Sequence, residues 1–115
     1  MKQQSANATS IREHNLSLVL NLFRKAGSLS RSDIIRETNL SPTAVSALVN
    51  VLMDTGFLRE AGVGVSRGGR RPVLLQFDYG CRMVVGIDLG ASHITVIAMD
   101  LQARILASEH CRYNV

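Results

Sequence analysis

Leu40-Ser41-Pro42-Thr43-Ala44-Val45-Ser46-Ala47-Leu48-Val49-Asn50-Val51-Leu52 decides how this chain is read. Ser41 is of a type that caps a helix start with its side-chain oxygen. Pro42 fits the first helical position, where a missing N–H costs nothing. Val45, Leu48, Val49 and Leu52 recur at helical spacing and make one apolar stripe. The opposite face carries Thr43, Ala44, Ser46, Ala47 and Asn50, which are small or hydrogen-bonding residues. A helix with one buried stripe and one small polar face is suited to enter a DNA major groove.

The flanking sequence supplies the support for such a helix. Upstream, Ser30-Arg31-Ser32-Asp33 resembles a capping box and opens a short helix ending near Thr38-Asn39. Before that, Leu16, Val19, Leu20 and Phe23 predict a helix over residues 11–26, widened by Leu18 and Leu22 and stopped by Gly27. Two short helices joined by a tight turn make a helix-turn-helix. Residues 1–10 are polar, lack periodicity and read as a flexible tail.

Downstream, Phe57-Leu58-Arg59-Glu60-Ala61 reads as a strand, and Arg71-Pro72-Val73-Leu74-Leu75-Gln76-Phe77 as its return. Between them, residues 62–69 hold four glycines and read as an exposed loop. Arg67, Gly68, Gly69, Arg70 and Arg71 crowd the tip of this hairpin. Such a tip can approach phosphates or a narrow minor groove, where arginine is favoured. The preceding helix has no Lys or Arg, so this wing is expected to supply most of the electrostatic attraction.

Charge distribution agrees. The 115 residues carry a net charge of +4. Residues 1–80 hold ten Lys/Arg against six Asp/Glu, and residues 81–115 hold three of each. A basic first part suits a polyanionic partner. The composition, 46% apolar with no Trp, predicts a folded chain with an aliphatic core.

Other classes find little support. No apolar run reaches the roughly 18 residues of a membrane span, and the polar N-terminus lacks the apolar region of a signal peptide. Cys81 and Cys111 lie far apart and read as free thiols of a cytoplasmic protein. Together with His93 and His110 they lack metal-ligand spacing, so neither a metal nor another cofactor is expected.

After Asp78-Tyr79-Gly80 the pattern changes to strands. Apolar runs over residues 83–87, 94–99 and 105–107 are separated by turns. Gly86-Ile87-Asp88-Leu89-Gly90-Ala91-Ser92 is a strand running into a turn. There Asp88 could orient a metal or water, and Gly90 and Ser92 could approach a phosphate. Three strands cannot bury both faces, so residues 83–107 are expected to show apolar surface and free edges.

Five stretches together resemble a known family. They are Ile11-Arg12-Glu13-His14-Asn15, Ser30-Arg31, residues 40–46, Gly56-Phe57-Leu58 and Gly68-Gly69-Arg70-Arg71-Pro72. This order is similar to the repressors of the ROK family, typically sugar-responsive regulators. The resemblance implies an α+β chain: a winged helix-turn-helix over residues 11–78, then the first strands of an actin-like, sugar kinase-type domain over residues 79–115. It implies that this chain is a truncated or partial form of a longer regulator. Dimerisation and any response to a sugar effector would belong chiefly to the larger domain.

Asp88, Gly90 and Ser92 match the first phosphate loop of the family's kinases, whereas Ala91 and His93 depart from the Gly and Lys often found there. A second phosphate loop and a catalytic base would lie on later segments, so no enzyme activity is expected.

The reading is therefore a sequence-specific double-stranded DNA-binding regulator, a repressor of sugar-metabolism genes acting as a homodimer. Ser41, Pro42, Thr43, Ala44, Ser46, Ala47 and Asn50 would meet DNA from the helix, and Arg67, Gly68, Gly69, Arg70 and Arg71 from the wing. Asn50 could pair with adenine. The alternative is a nucleotide- or sugar-binding fragment of a ROK kinase-like protein using Asp88 and Ser92. A third is an interaction module pairing through its free strands.

Overall fold

The computed structural model describes residues 2–66 and 68–114, with side chains from Asn7 onward. The chain divides into two compact units, residues 1–77 and 78–115. It is α+β, with three helices followed mainly by antiparallel strands.

The first unit holds α1 (Lys2–Ala26), β1 (Ser28–Leu29), α2 (Arg31–Thr38), α3 (Pro42–Asp54), β2 (Leu58–Val63) and β3 (Val73–Phe77). The tail expected over residues 1–10 is helical from Lys2 onward and continues α1. Nothing in that stretch breaks a helix: it holds neither Gly nor Pro, and Lys, Gln and Ala are good helix formers. Val19 and Phe23 are fully buried, whereas Leu18, expected to widen the stripe, is exposed. Gly27 ends α1 with φ 79°, and its N–H donates to the Phe23 carbonyl at 2.9 Å.

The caps of α2 and α3 form as their sequences require. The Asp33 N–H donates to Ser30 Oγ at 3.1 Å, and the Ser30 N–H donates to Asp33 Oδ2 at 2.9 Å. Asn39 closes α2 in the left-handed region at φ 57°. The Ala44 N–H donates to Ser41 Oγ at 3.1 Å and so opens α3.

Val45, Leu48, Val49 and Leu52 of α3 join Val19, Phe23, Leu29, Ile34, Leu58 and Leu75 in one core. Burying a side chain of this size contributes about 1.5–3 kcal/mol each. The short β1 had no signal in the sequence. It pairs antiparallel with β3 through Ser28 and Leu29, giving a sheet ordered β1-β3-β2. The outgoing strand of the wing is longer than expected. It passes through Gly62, at φ 112°, to Val63, and the register with β3 shifts between Glu60 and Val63. A bulge with glycine lets the strand bend without ending.

The second unit is an antiparallel sheet ordered β4-β5-β6, with β4 (Met83–Leu89), β5 (His93–Asp100) and β6 (Ile105–Arg112). Its outer strands run further than the apolar runs suggested, because ladder hydrogen bonds extend β4 to Leu89 and β6 to Arg112. Every residue of β4 and β6 is exposed. The apolar surface expected on this sheet is present, with Ile87 65% and Leu89 72% exposed.

Candidate nucleic-acid interface

The buried stripe of α3 fixes which residues face outward. Pro42, Thr43, Ser46, Ala47 and Asn50 are exposed and Ala44 is half-buried, so the expected face is presented together. Ser41 is exposed as well, although its hydroxyl already accepts the capping bond. Ser30 is 4% exposed and anchors the start of α2.

That anchoring carries an electrostatic consequence. The Ser30 N–H donated to Asp33 holds its carboxyl below the ordinary value of 3.8, with further help from the Ser30 hydroxyl and Arg36, against partial burial. Asp33 is thus an anion at neutral pH and pairs with Arg36 at 2.8 Å.

Between β2 and β3 the wing turns over residues 64–72. The Gly64 N–H donates to the Pro72 carbonyl at 2.8 Å, which draws the two arms together. A Cβ at Gly64 would stand 3.0 Å from Pro72 Cγ, so this close approach favours glycine. At the tip, Ser66 Oγ donates to the Gly69 carbonyl at 2.6 Å. Gly68 and Gly69 adopt φ 85° and 147°. Arg70 and Arg71 are exposed, and neither forms an ion pair among the described residues. Arg67, also expected at this tip, lies outside the described residues. A groove of about 390 Å³ separates the wing from α2, with Ser32, Asp33 and Arg36 on one wall and Gly64 and Arg70 on the other.

Two cations behave differently from the wing pair. Arg59 donates to Gln76 Oε1 at 2.9 Å across the hairpin. Arg31, the first residue of α2, donates from Nη2 to Asn50 Oδ1 at 3.5 Å. This contact spans 19 residues of sequence and brings a guanidinium to the outer face of α3. Reasoning from the sequence missed it. The Ser30-Arg31 pair was visible, but no local pattern tells where a side chain of one helix meets the next.

The other expected cluster sits in the second unit. Asp88 Oδ2 lies 3.2 Å from His93 Nε2. His93 stacks on His110 at 5.5 Å, and His110 Nδ1 lies 2.9 Å from Thr95 Oγ1. A Cβ at Gly90 would collide with the His93 ring, whose Nδ1 stands 2.5 Å from that position. The close approach that Gly90 would give a phosphate is therefore taken by His93. Ser92 is exposed, and its carbonyl accepts the Tyr113 N–H at 3.0 Å. Among the described residues no group of three or more His, Cys, Asp or Glu could hold a metal ion. No helix among them is long and apolar enough to cross a membrane.

Helix, turn, helix and wing are those of a winged helix-turn-helix DNA-binding domain, and the family model of that description matches residues 12–59. The xylose repressor of Bacillus subtilis (strain 168) is 36% identical over 105 residues, covering 91% of this chain and 27% of the repressor. The N-acetylglucosamine repressor of Escherichia coli O157:H7 is 28% identical over 107 residues, covering 93% of this chain and 26% of that protein. A crystal structure of a ROK family transcriptional regulator, homologous to the E. coli MLC protein, shares the fold with a TM-score of 0.70. It is 24% identical, with 90% of this chain and 26% of that one covered. The chain is thus similar in sequence to these repressors and in fold to the ROK family regulator. It spans about 27% of the length of the xylose repressors it matches.

Proposed function

We propose that this chain binds double-stranded DNA sequence-specifically and controls transcription as a repressor of genes for carbohydrate use. The observation that carries the reading is the exposed polar face of α3, held outward by four buried residues of the same helix and flanked by an arginine-tipped wing. Thr43, Ser46, Ala47 and Asn50 meet base edges, while Ser41, Arg70 and Arg71 meet phosphates or the minor groove. The relatives named for xylose and N-acetylglucosamine support the link to sugars. A homodimer on a palindromic site is the working form, since each winged helix reads one half-site. DNA binding places its work in the cytoplasm, and the work is binding without a catalytic step. A sugar effector is expected only where the family's larger domain is present.

A gel-shift salt titration on a duplex selected by the wild type tests this. The double variant Arg70→Ala, Arg71→Ala should flatten the log–log salt slope by about 2, roughly 0.9 for each phosphate no longer neutralised. Unchanged affinity and unchanged slope would remove the wing from the interface.

A further inference from the structure

We propose that Arg31 is a base-reading residue: its guanidinium, seated against Asn50, donates to a guanine edge in the major groove. The inference rests on the DNA-binding reading above and adds a specificity residue to it.

Three observations carry it. First, α3 has no cation of its own, and Thr43, Ser46 and Ala47 on its outer face are short. Asn50 stands one helical turn beyond Ser46 and Ala47, on the same exposed face. A long side chain laid there fills depth that the helix's own residues leave empty.

Second, the base of Arg31 is rigid while its tip keeps donors to spare. Ser30, immediately before it, is buried and locked by both bonds of the capping box. The contact to Asn50 uses Nη2, and the guanidinium carries further N–H donors that can meet an acceptor on DNA while the contact is kept. Among the described residues Arg31 has no carboxylate partner, unlike Arg36, which pairs with Asp33 and Glu37.

Third, the contact orients Asn50. With Oδ1 turned to Arg31, its amide N–H groups point away from the arginine. Arg31 and Asn50 then present donors only. Guanine offers two acceptors, N7 and O6, to the major groove, whereas adenine needs an acceptor for its N6 amino group. The pair therefore suits guanine, in place of the adenine expected for Asn50 alone. A phosphate offers acceptors too, but the arginine lies over the face that enters the groove.

The test is a binding-site selection from a random duplex library, using the full chain as wild type, Arg31→Ala and Arg31→Lys. The wild type should enrich a guanine that Arg31→Ala no longer prefers, with discrimination there falling about tenfold. Arg31→Lys, which keeps the charge but loses the planar fork, should retain most affinity and lose most of that discrimination. Replacing the enriched guanine by 7-deazaguanine should weaken the wild type about tenfold and Arg31→Ala hardly at all. If a melt shows Arg31→Ala unfolded, Arg31→Lys takes its place in this arm and should be weakened less than the wild type. An even loss across all sequences, with every base preference intact, means a phosphate contact and overturns the inference. No effect of either variant overturns it as well. If the wild type itself enriches nothing, the DNA-binding reading fails, and this inference with it.

Discussion

The two units of this chain place apolar side chains in opposite ways. Among the described residues of 1–77, ten hydrophobic residues are buried in one core. In residues 78–115, the strands are richer in continuous apolar runs, yet Met83, Val84, Val85, Ile87 and Leu89 are all exposed. The difference is one of layers. Helices α1, α2 and α3 pack against the small β1-β3-β2 sheet, so each apolar stripe meets another. Among the described residues the β4-β5-β6 sheet has no second layer within its own unit. Its stability rests on ladder hydrogen bonds and cross-strand pairs, which are weaker per residue than a packed core. Apolar content does not by itself make a core.

Truncations on the two sides should break or confirm this contrast. Leu75→Ala removes a fully buried side chain and should cost about 2–5 kcal/mol, read by urea unfolding. Ile87→Ala removes an equally apolar but exposed side chain and should stay within about 0.5 kcal/mol. Equal costs would show that the second unit is packed after all.

Within the first unit, a smaller effect belongs to the cap at the start of α2. Ser30→Ala should cost about 1 kcal/mol in the same unfolding measurement. The Asp33 half of that box adds a pH dependence. Its folded carboxyl titrates below 3.8, its ordinary value, so the folded state binds that proton more weakly than the unfolded chain. The contribution is complete above the unfolded value and is lost as pH falls through the folded one. Thermal melts from about pH 6 down to about pH 2.5 should show this loss, and Asp33→Asn should flatten it below about pH 4. A parallel pair of curves would exclude Asp33 as the titrating group.

The smallest effect is expected at the surface. Arg36→Ala breaks the exposed ion pairs to Asp33 and Glu37 and should change stability by at most about 0.5 kcal/mol. A larger loss would mean that surface charge, and not only the core, holds the first unit together.

Much of the fold was legible because local chemistry decided it. Ser30 with Asp33, Ser41 with Pro42, and Gly27 each mark a helix end through bonds reaching only a few residues. The buried face of α3 followed from spacing. The start of α1 was not legible, since polar residues before Ile11 carry no periodicity and their helix is exposed from Asn7 to His14. Nor was β1, because two residues make a strand only when a partner strand arrives, here when Ser28 meets Gln76 and Leu29 meets Leu75. The ladder that extends β4 to Leu89 likewise depends on β5.

The candidate site divides along the same line. The outward residues of α3 and the glycine-arginine wing could be named from the sequence alone, because periodicity and turn chemistry are local. That Arg31 lies against Asn50, and that His93 covers Gly90, depends on how side chains from separate elements meet. By itself, the sequence determined a capped helix with a small polar outer face, a basic wing and an apolar three-stranded tract. Only the tertiary structure decided which cation joins the outer face of α3 and which apolar residues are buried, because both depend on packing between elements rather than on order along the chain.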